Sequence, residues 1–198
     1  NYHEWINSNG TSPVCDEKLG LQRAKAAMAM LFALPGCTYI YQGQELGLQE
    51  VADIPEGEIQ DPQYLRNLKK FKGRDGVRVP LPWKADAPFF GFSDKGSHLP
   101  QPSWFKNVAV DVQERDGSTL SLFRKIISLR KSLQTEEKYE WHETGDPEVL
   151  HFSRPNGWHC IHNFEGKPFS LPAGEIILQS APFVDGKLGP ATTVWLKK

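Results

Sequence analysis

The segment GRDGVRVPLPW (Gly73–Trp83) places two arginines and an aspartate in a glycine-containing loop that ends in two prolines and a tryptophan. The guanidinium groups of Arg74 and Arg78 are planar donors and the carboxylate of Asp75 is an acceptor, so together they can bind adjacent hydroxyl groups. The indole of Trp83 has an apolar face on which a ring can stack. Because small-molecule sites combine a few polar groups with apolar and aromatic surface, the segment is a candidate ligand-binding loop.

A structural role for the same segment is the alternative. Arg74 and Asp75 could form a local ion pair, which needs no ligand. Pro80 and Pro82 could pack the loop onto its scaffold, and packing is also the expected role of Trp83. The residue types alone leave both roles open for each charged side chain.

A helix and a short strand precede this loop. Apolar residues recur at helical spacing over Leu21–Leu34, and Pro35 and Gly36 end the pattern. The following run, Thr38–Tyr41, is β-branched and aromatic and is bounded by glycine, which predicts a buried strand. No parallel neighbour for this strand is evident before residue 140, so its sheet is expected to lie elsewhere.

The rest of the sequence predicts a long loop, a second helix and a small sheet. Residues 47–102 are rich in Pro, Gly, Asp and Lys, and ordered loops of this length are usually functional. An apolar stripe predicts a helix over Thr119–Leu133. After Gly145, two alternating segments that meet at Pro155, Asn156 and Gly157 predict a hairpin, and EIILQS and TTVWLKK add two strands.

In this order, with YQGQELG (Tyr41–Gly47) after the first strand, the sequence resembles the C-terminal portion of the α-amylase superfamily of glycoside hydrolases, and most of all the bacterial α-glucosidases and oligo-1,6-glucosidases. The resemblance rests on GRDGVRVPLPW and on YQGQELG, where family members often have Glu at the position of Gln44. It implies an α/β plus β fold, with the last portion of a (β/α)8 barrel in residues 1–134 and a small antiparallel β-domain in residues 135–198. Thr38–Tyr41 would be the last barrel strand, and the long loop after it would lie at the substrate-binding face.

The resemblance also implies an activity, the hydrolysis of terminal α-glucosidic bonds in short oligosaccharides with retention of configuration. The family's catalytic carboxylates belong to barrel strands four, five and seven, and no Asn-His-Asp triplet precedes Leu21. The chain is therefore expected to be a C-terminal fragment without catalytic residues. Glu45 and Glu50 are not expected to replace them, and Glu45 is expected to bind loop backbone or an arginine. The implied substrate-binding residues are Gln44, Glu45, Arg74, Asp75 and Arg78.

Two alternatives to hydrolysis remain open at this point. A transglycosylating or sucrose-isomerising relative would use the same machinery and exclude water. Alternatively, the β-domain of residues 135–198 could act alone as a carbohydrate-binding module, with Trp141, Trp158 and Trp195 as stacking platforms. In a small antiparallel sheet, however, tryptophans more often pack against the neighbouring domain.

Composition restricts the classes of partner. The net charge of −1 gives no attraction to nucleic acid, and the apolar stretch Ala26–Gly36 is too short to span a membrane. The three cysteines, an odd number, favour a reducing compartment such as the cytoplasm over a disulfide framework. The expected partner is an α-glucoside oligosaccharide.

No cofactor or metal ion is expected from the sequence. His159 and His162 invite a metal interpretation, but on one strand they would point to opposite faces and could not easily share an ion. The apolar stripe of the Leu21 helix lacks barrel neighbours, so self-association of the fragment is also expected.

Overall fold

A computed structural model of the chain describes residues 2–68 and 70–198, and these residues form two compact units. The first, here called the loop unit, contains the described residues up to Asp16 together with Tyr41–Leu120. The second, here called the sheet unit, contains Glu17–Ile40 and Ser121–Lys198. The expected division into residues 1–134 and 135–198 differs from this one because the helix after Asp16 packs on the sheet. For the whole protein, the division into residues 1–134 and 135–198 stays a prediction.

The loop unit is built from short helices and turns around a small apolar core. Helix α1 (Tyr2–Asn7) and helix α3 (Pro62–Arg66) are its α-helices among the described residues. The core contains Val51, Val79 and Phe105, from three distant parts of the loop. The described part of the unit also contains short 3-10 segments: Gln44–Leu46, Glu56–Glu58, Asp75–Val77, Pro88–Gly91, Ser103–Asn107 and Asp111–Gln113. The expected long ordered loop is thus a compact body with its own core.

The sheet unit combines helix α2 (Glu17–Ala33) and most of helix α4 (Thr119–Leu133) with a five-stranded antiparallel sheet. The strand order is β1-β2-β3-β5-β4. The strands are β1 (Glu140–Trp141), β2 (Val149–Arg154), β3 (Trp158–Asn163), β4 (Glu175–Gln179) and β5 (Thr192–Lys197).

Helix α2 is attached to the sheet by both packing and hydrogen bonds. The indole Nε1 of Trp195 donates to the carbonyl of Ala29 at 3.0 Å, and Thr193 Oγ1 donates to the carbonyl of Ala26 at 2.7 Å. At the end of α2, the Arg130 guanidinium donates to the carbonyl of Leu34 at 2.7 Å, so a cation lies where the helix leaves carbonyl groups unpaired.

Most of the predicted elements are confirmed. The helix expected over Leu21–Leu34 is α2, the helix expected over Thr119–Leu133 is α4, and the hairpin is β2–β3 with Asn156 and Gly157 at positive φ. The two later strands are β4 and β5. Strand β1 was not predicted, because two residues are too few to show an alternating pattern.

The prediction of a buried strand at Thr38–Tyr41 is wrong for this chain. The segment is not assigned to a strand, and the side chains of Tyr39, Ile40 and Tyr41 are all exposed. A strand needs a neighbour that accepts and donates its backbone hydrogen bonds, and no described residue pairs with this segment as a strand.

Two of the three tryptophans in the carbohydrate-binding alternative are not available for stacking on sugars. Trp158 and Trp195 are buried and lie 4.9 Å apart, ring centre to ring centre, in the core between helix and sheet. Trp141 is exposed. The sheet therefore uses the indoles of Trp158 and Trp195 for packing.

None of the helices in the described part of the chain has both the length and the apolar character needed to cross a bilayer.

Candidate functional site

A cleft of about 310 Å³ lies within the loop unit. Its lining comes from three separate parts of the sequence: residues 41–44 together with 48–50, several residues between 74 and 81, and Phe105. Both motifs singled out in the sequence, YQGQELG and GRDGVRVPLPW, contribute to it. The folded loop thus brings together two segments that are about thirty residues apart.

The YQGQELG segment contains a tight 3-10 turn, Gln44–Leu46, which is flanked by Gly43 and Gly47. Gly43 and Gly47 have φ values of 91° and 66°, in the left-handed region that favours glycine. The Gln44 side-chain oxygen accepts a hydrogen bond from the Tyr41 amide at 2.8 Å, and the Glu45 carboxylate accepts one from the Gly43 amide at 2.9 Å. Gln44 lines the cleft, whereas Glu45 binds loop backbone, as predicted.

Asp61 holds the GRDGVRVPLPW segment in place. Its carboxylate is buried and accepts hydrogen bonds from the Gln63 amide at 2.9 Å, the Arg74 amide at 2.8 Å and Arg78 Nη1 at 2.9 Å. The hydrogen bond from Gln63, followed by that from Arg74 and by the charge of Arg78, holds the pKa of Asp61 below its ordinary value, although burial opposes the shift.

Asp75 is a second buried carboxylate in the same network. Its Oδ2 accepts hydrogen bonds from the amides of Gln60 at 2.6 Å and Asp61 at 2.8 Å. Its Oδ1 lies 3.6 Å from Arg78 Nη1. The arginine that pairs with Asp75 is therefore Arg78, rather than Arg74 as the structural alternative had it.

Two glycines let this network close. Gly73 has a φ of +78°, and a Cβ added to it would lie 2.5 Å from the Asp61 side chain. A Cβ added to Gly76 would lie 2.4 Å from the carbonyl oxygen of Val51. Both distances are shorter than any tolerable contact, so the close approach of these loop segments requires glycine at both positions.

The cleft also contains a half-buried carboxyl group, that of Glu50. The Tyr2 hydroxyl lies 2.9 Å from each of its oxygens and donates to them. Burial raises the pKa of Glu50, while the hydrogen bond from Tyr2 and the charge of Arg74 act in the opposite direction. Burial, together with the neighbouring Glu50, raises the pKa of Tyr2 to about 12.

The structure gives the five expected substrate-binding residues different surroundings. Gln44 and Arg74 are exposed and line the cleft. Arg78, Asp75 and Glu45 have protein partners, and the cleft lining does not include them. Contact of any of the five with a sugar stays a prediction. Trp83, which was expected to pack, is 49% exposed.

Sequence reasoning missed Asp61 and Tyr2. A local signal for Asp61 exists, because an aspartate directly before a proline is typical of a helix start, and Asp61 is the N-cap of α3 with Pro62 after it. No local signal links Tyr2 to Glu50, since 48 positions separate them.

Comparison with known proteins identifies the family of the chain. The family described as "Alpha amylase, catalytic domain" matches residues 10–138. A "Probable alpha-glucosidase" of Rhizobium meliloti (strain 1021) is 39% identical over 110 residues, which is 55% of this chain and 20% of the relative. A "Probable oligo-1,6-glucosidase 3" of Bacillus subtilis (strain 168) is 30% identical over 170 residues, which is 74% of this chain and 30% of the relative.

Among solved structures, the alpha-glucosyl transfer enzyme XgtA superposes with a TM-score of 0.67 at 29% identity, over 98% of this chain and 38% of that one. The chain thus spans a fifth to about a third of the length of these curated relatives. Since the family match covers well over half of the sequence, the chain belongs to the α-amylase catalytic-domain family.

Proposed function

We propose that this chain is part of an α-glucosidase that hydrolyses terminal α-glucosidic bonds of short oligosaccharides. In this proposal the cleft of the loop unit is one wall of the glucose-binding site. The names of the glucosidase relatives support the substrate class.

The observation that carries the proposal is the convergence of the two motifs on one cleft. Gln44 and Arg74 line the same cavity. The other lining residues include the polar Gln42, Gln49 and Glu50 and the apolar Leu81 and Phe105. Polar side chains that converge on a cavity beside apolar ones are typical of small-molecule sites. Sugars offer both hydroxyl groups and apolar ring faces to such a surface.

The network behind the cleft fixes the position of Arg74. The Arg74 amide donates to Asp61, while Asp61 and Asp75 together neutralise Arg78. We propose that Asp61, Asp75 and Arg78 act as positioning residues and that Arg74 and Gln44 contact the substrate. A side chain whose backbone is fixed loses less entropy when it binds a ligand.

The proposed reaction is a retaining double displacement, which needs two carboxyl groups about 5–5.5 Å apart, one as nucleophile and one as acid. We propose that barrel strands outside these 198 residues supply both groups. The aligned segments of 110 and 170 residues are 20% and 30% of these relatives, so each relative is nearly three times as long as this chain. Glu45 and Glu50 already bind Gly43 and Tyr2, which favours structural roles for them.

Transfer of the glucosyl group to a sugar is the second candidate activity. The similarity to an alpha-glucosyl transfer enzyme favours it, because transfer and hydrolysis differ only in the acceptor of the glucosyl group.

A reducing compartment such as the cytoplasm is part of the proposal, and it is supported by the free thiols of Cys15, Cys37 and Cys160.

The proposal can be tested by incubating the full-length protein with maltose, isomaltose or sucrose and measuring the products. We expect glucose release, with α-glucose formed first when the reaction is followed by NMR before mutarotation. If the products are longer or rearranged sugars with little free glucose, the activity is transfer or isomerisation and not hydrolysis. Inactivity toward all three α-glucosides would contradict the proposal.

A further inference from the structure

Three histidines lie together on one face of the sheet, away from the cleft in sequence and in a different unit. His151 is on β2 and His159 is on β3, and His142 follows directly after β1. Their strand neighbours Phe152 and Cys160 point into the core that contains α2, so His151 and His159 lie on the opposite face. The His142 amide donates to the His151 carbonyl at 2.9 Å, which places these two residues side by side.

The imidazole rings are close enough to share one small ligand. His151 Nε2 and His159 Nδ1 are 3.0 Å apart. The ring centre of His142 lies 4.5 Å from that of His151 and 5.4 Å from that of His159. One ring nitrogen from each histidine lies within 4.8 Å of the others.

The surroundings favour neutral imidazoles, which are the form that binds metal ions. Burial is the largest cause of a lowered pKa at both His151, where the pKa falls to about 4, and His159. The neighbouring histidines and Lys198 act in the same direction. The hydroxyl of Ser153 lies 2.8 Å from His142 Nε2.

We propose that His142, His151 and His159 form a binding site for a divalent late transition-metal ion such as Zn²⁺ or Ni²⁺. Imidazole nitrogen suits these ions, and three histidines with one open position are a known ligand set for zinc. Water, or the hydroxyl of Ser153, would occupy the fourth position.

The geometry needs only a small adjustment to accept the ion. Zinc–nitrogen bonds of about 2.0–2.1 Å place tetrahedral ligand atoms roughly 3.3 Å apart. The 3.0 Å separation of His151 and His159 is already near this value, and His142, which is half-buried, closes the remaining distance by side-chain rotation. The hydrogen bond between His151 and His159 is replaced when each ring carries its proton on the other nitrogen.

Such an ion would connect β1, β2 and β3 at the edge of the sheet. Strand β1 contains only two residues and pairs only with β2. Because a ligand that binds the folded state stabilises it, the bound ion should raise the unfolding temperature. The positive charge of Lys198 acts against a cation at this place and limits its affinity.

The test is calorimetric titration of ZnCl₂ into the tag-free, full-length protein after treatment with a chelator. We expect saturable binding of one ion per chain. His142→Gln, His151→Gln and His159→Gln should each weaken it at least about 100-fold, since even the loss of an outer-shell partner costs 10–100-fold. His98→Gln, at an exposed histidine of the loop unit, should bind zinc as the wild type does.

The far-UV circular dichroism of each chelated variant shows whether it folds. If His159→Gln, at the buried histidine, fails to fold, Co²⁺ titration of the wild type replaces it. Visible absorption bands of four-coordinate cobalt with nitrogen ligands would support the site. Absence of saturable zinc binding by the wild type, unchanged affinity in all folded cluster variants, or cobalt spectra that match the free aqueous ion would overturn the proposal.

Discussion

Asp61 joins three parts of the loop unit through one carboxylate. It caps helix α3 through the Gln63 amide, fixes the Arg74 amide and accepts from the Arg78 side chain. Hydrogen bonds to a buried carboxylate favour its charged form, which explains the lowered pKa. The charge of a residue that does not line the cleft thus determines where the cleft-lining Arg74 lies.

Replacement of this carboxylate should weaken the loop unit. Asp61→Asn keeps the size of the side chain but presents an amide to at least one of its donors, so we expect a loss of about 2–3 kcal/mol of stability. Urea unfolding followed by tryptophan fluorescence measures this loss. Asp94→Asn, at an exposed aspartate of the same unit, should change stability little.

The contribution of Asp61 should also depend on pH with a definite sign. Because the folded-state pKa lies below the ordinary value of 3.8, the stabilisation is fully present above pH 3.8 and is lost as the pH falls through the folded-state pKa. The stability difference between wild type and Asp61→Asn should therefore be constant at neutral pH and shrink below pH 3.8. A difference that grows on acidification would contradict this assignment.

Arg74 should matter for catalysis rather than for folding. Its side chain is exposed at the cleft, and a guanidinium can bind two sugar oxygens where an ammonium binds as a point charge. In the full-length protein, Arg74→Lys should lower kcat/KM by about 10–100-fold, which corresponds to one charged hydrogen bond of about 1.5–3 kcal/mol. The unfolding temperature should stay near that of the wild type.

Arg66→Lys is the matched control for this substitution, because Arg66 is exposed in the same unit and the cleft lining does not include it. It should retain wild-type kcat/KM. Equal activity of Arg74→Lys and Arg66→Lys would remove Arg74 from the substrate site.

At the residue scale, the sequence located the two segments that line the cleft, but it did not show the partners of their side chains. Arg74 and Gln44 could be named because their motifs are local. The partners of Asp75 could not, since its oxygens accept from the amides of Gln60 and Asp61, some fifteen positions away. Hydrogen bonds between distant loop segments leave no periodic pattern in a sequence.

At the scale of elements, the close approach of two loop segments depends on Gly73. Gly73→Ala would place a Cβ 2.5 Å from the Asp61 side chain at a φ of +78°. Strain in the left-handed region and the displaced neighbour together should cost about 2–4 kcal/mol. The change in urea midpoint measures this cost.

Gly57→Ala provides the control within the same unit. Gly57 lies in a 3-10 segment, and a Cβ added there would contact nothing within 4 Å. It should therefore fold with nearly wild-type stability. Equal effects of the two alanine substitutions would show that the loop can separate from Asp61 at little cost.

The predicted elements that proved correct are those whose signals are local. The β2–β3 hairpin has its turn residues between two alternating segments, and α4 has a complete apolar stripe. Thr38–Tyr41 has the composition of a buried strand but lacks a pairing partner, and composition cannot supply one. The histidine cluster was hidden for a related reason, because it depends on the register of three strands.

At the scale of the whole molecule, the chain carries an exposed apolar segment in the position expected for a barrel strand. Tyr39 is 90% exposed, and Ile40 and Tyr41 are 41% and 44% exposed. Contiguous exposed apolar side chains favour association. The 198-residue chain produced alone should therefore self-associate as its concentration rises, while the full-length protein should not.

Sedimentation velocity at several concentrations tests this expectation. Tyr39→Lys should shift the isolated chain toward monomer, because it places a charge in the exposed segment. A wild-type chain that stays monomeric across the whole range would contradict it.

The most direct test of the proposed glucose-binding wall is a crystal structure of a catalytically inactive variant of the full-length protein with bound maltose. The account predicts hydroxyl groups of the terminal glucose about 2.7–3.2 Å from the Arg74 guanidinium and from the Gln44 amide. A bound maltose that leaves both side chains without a sugar contact would contradict it.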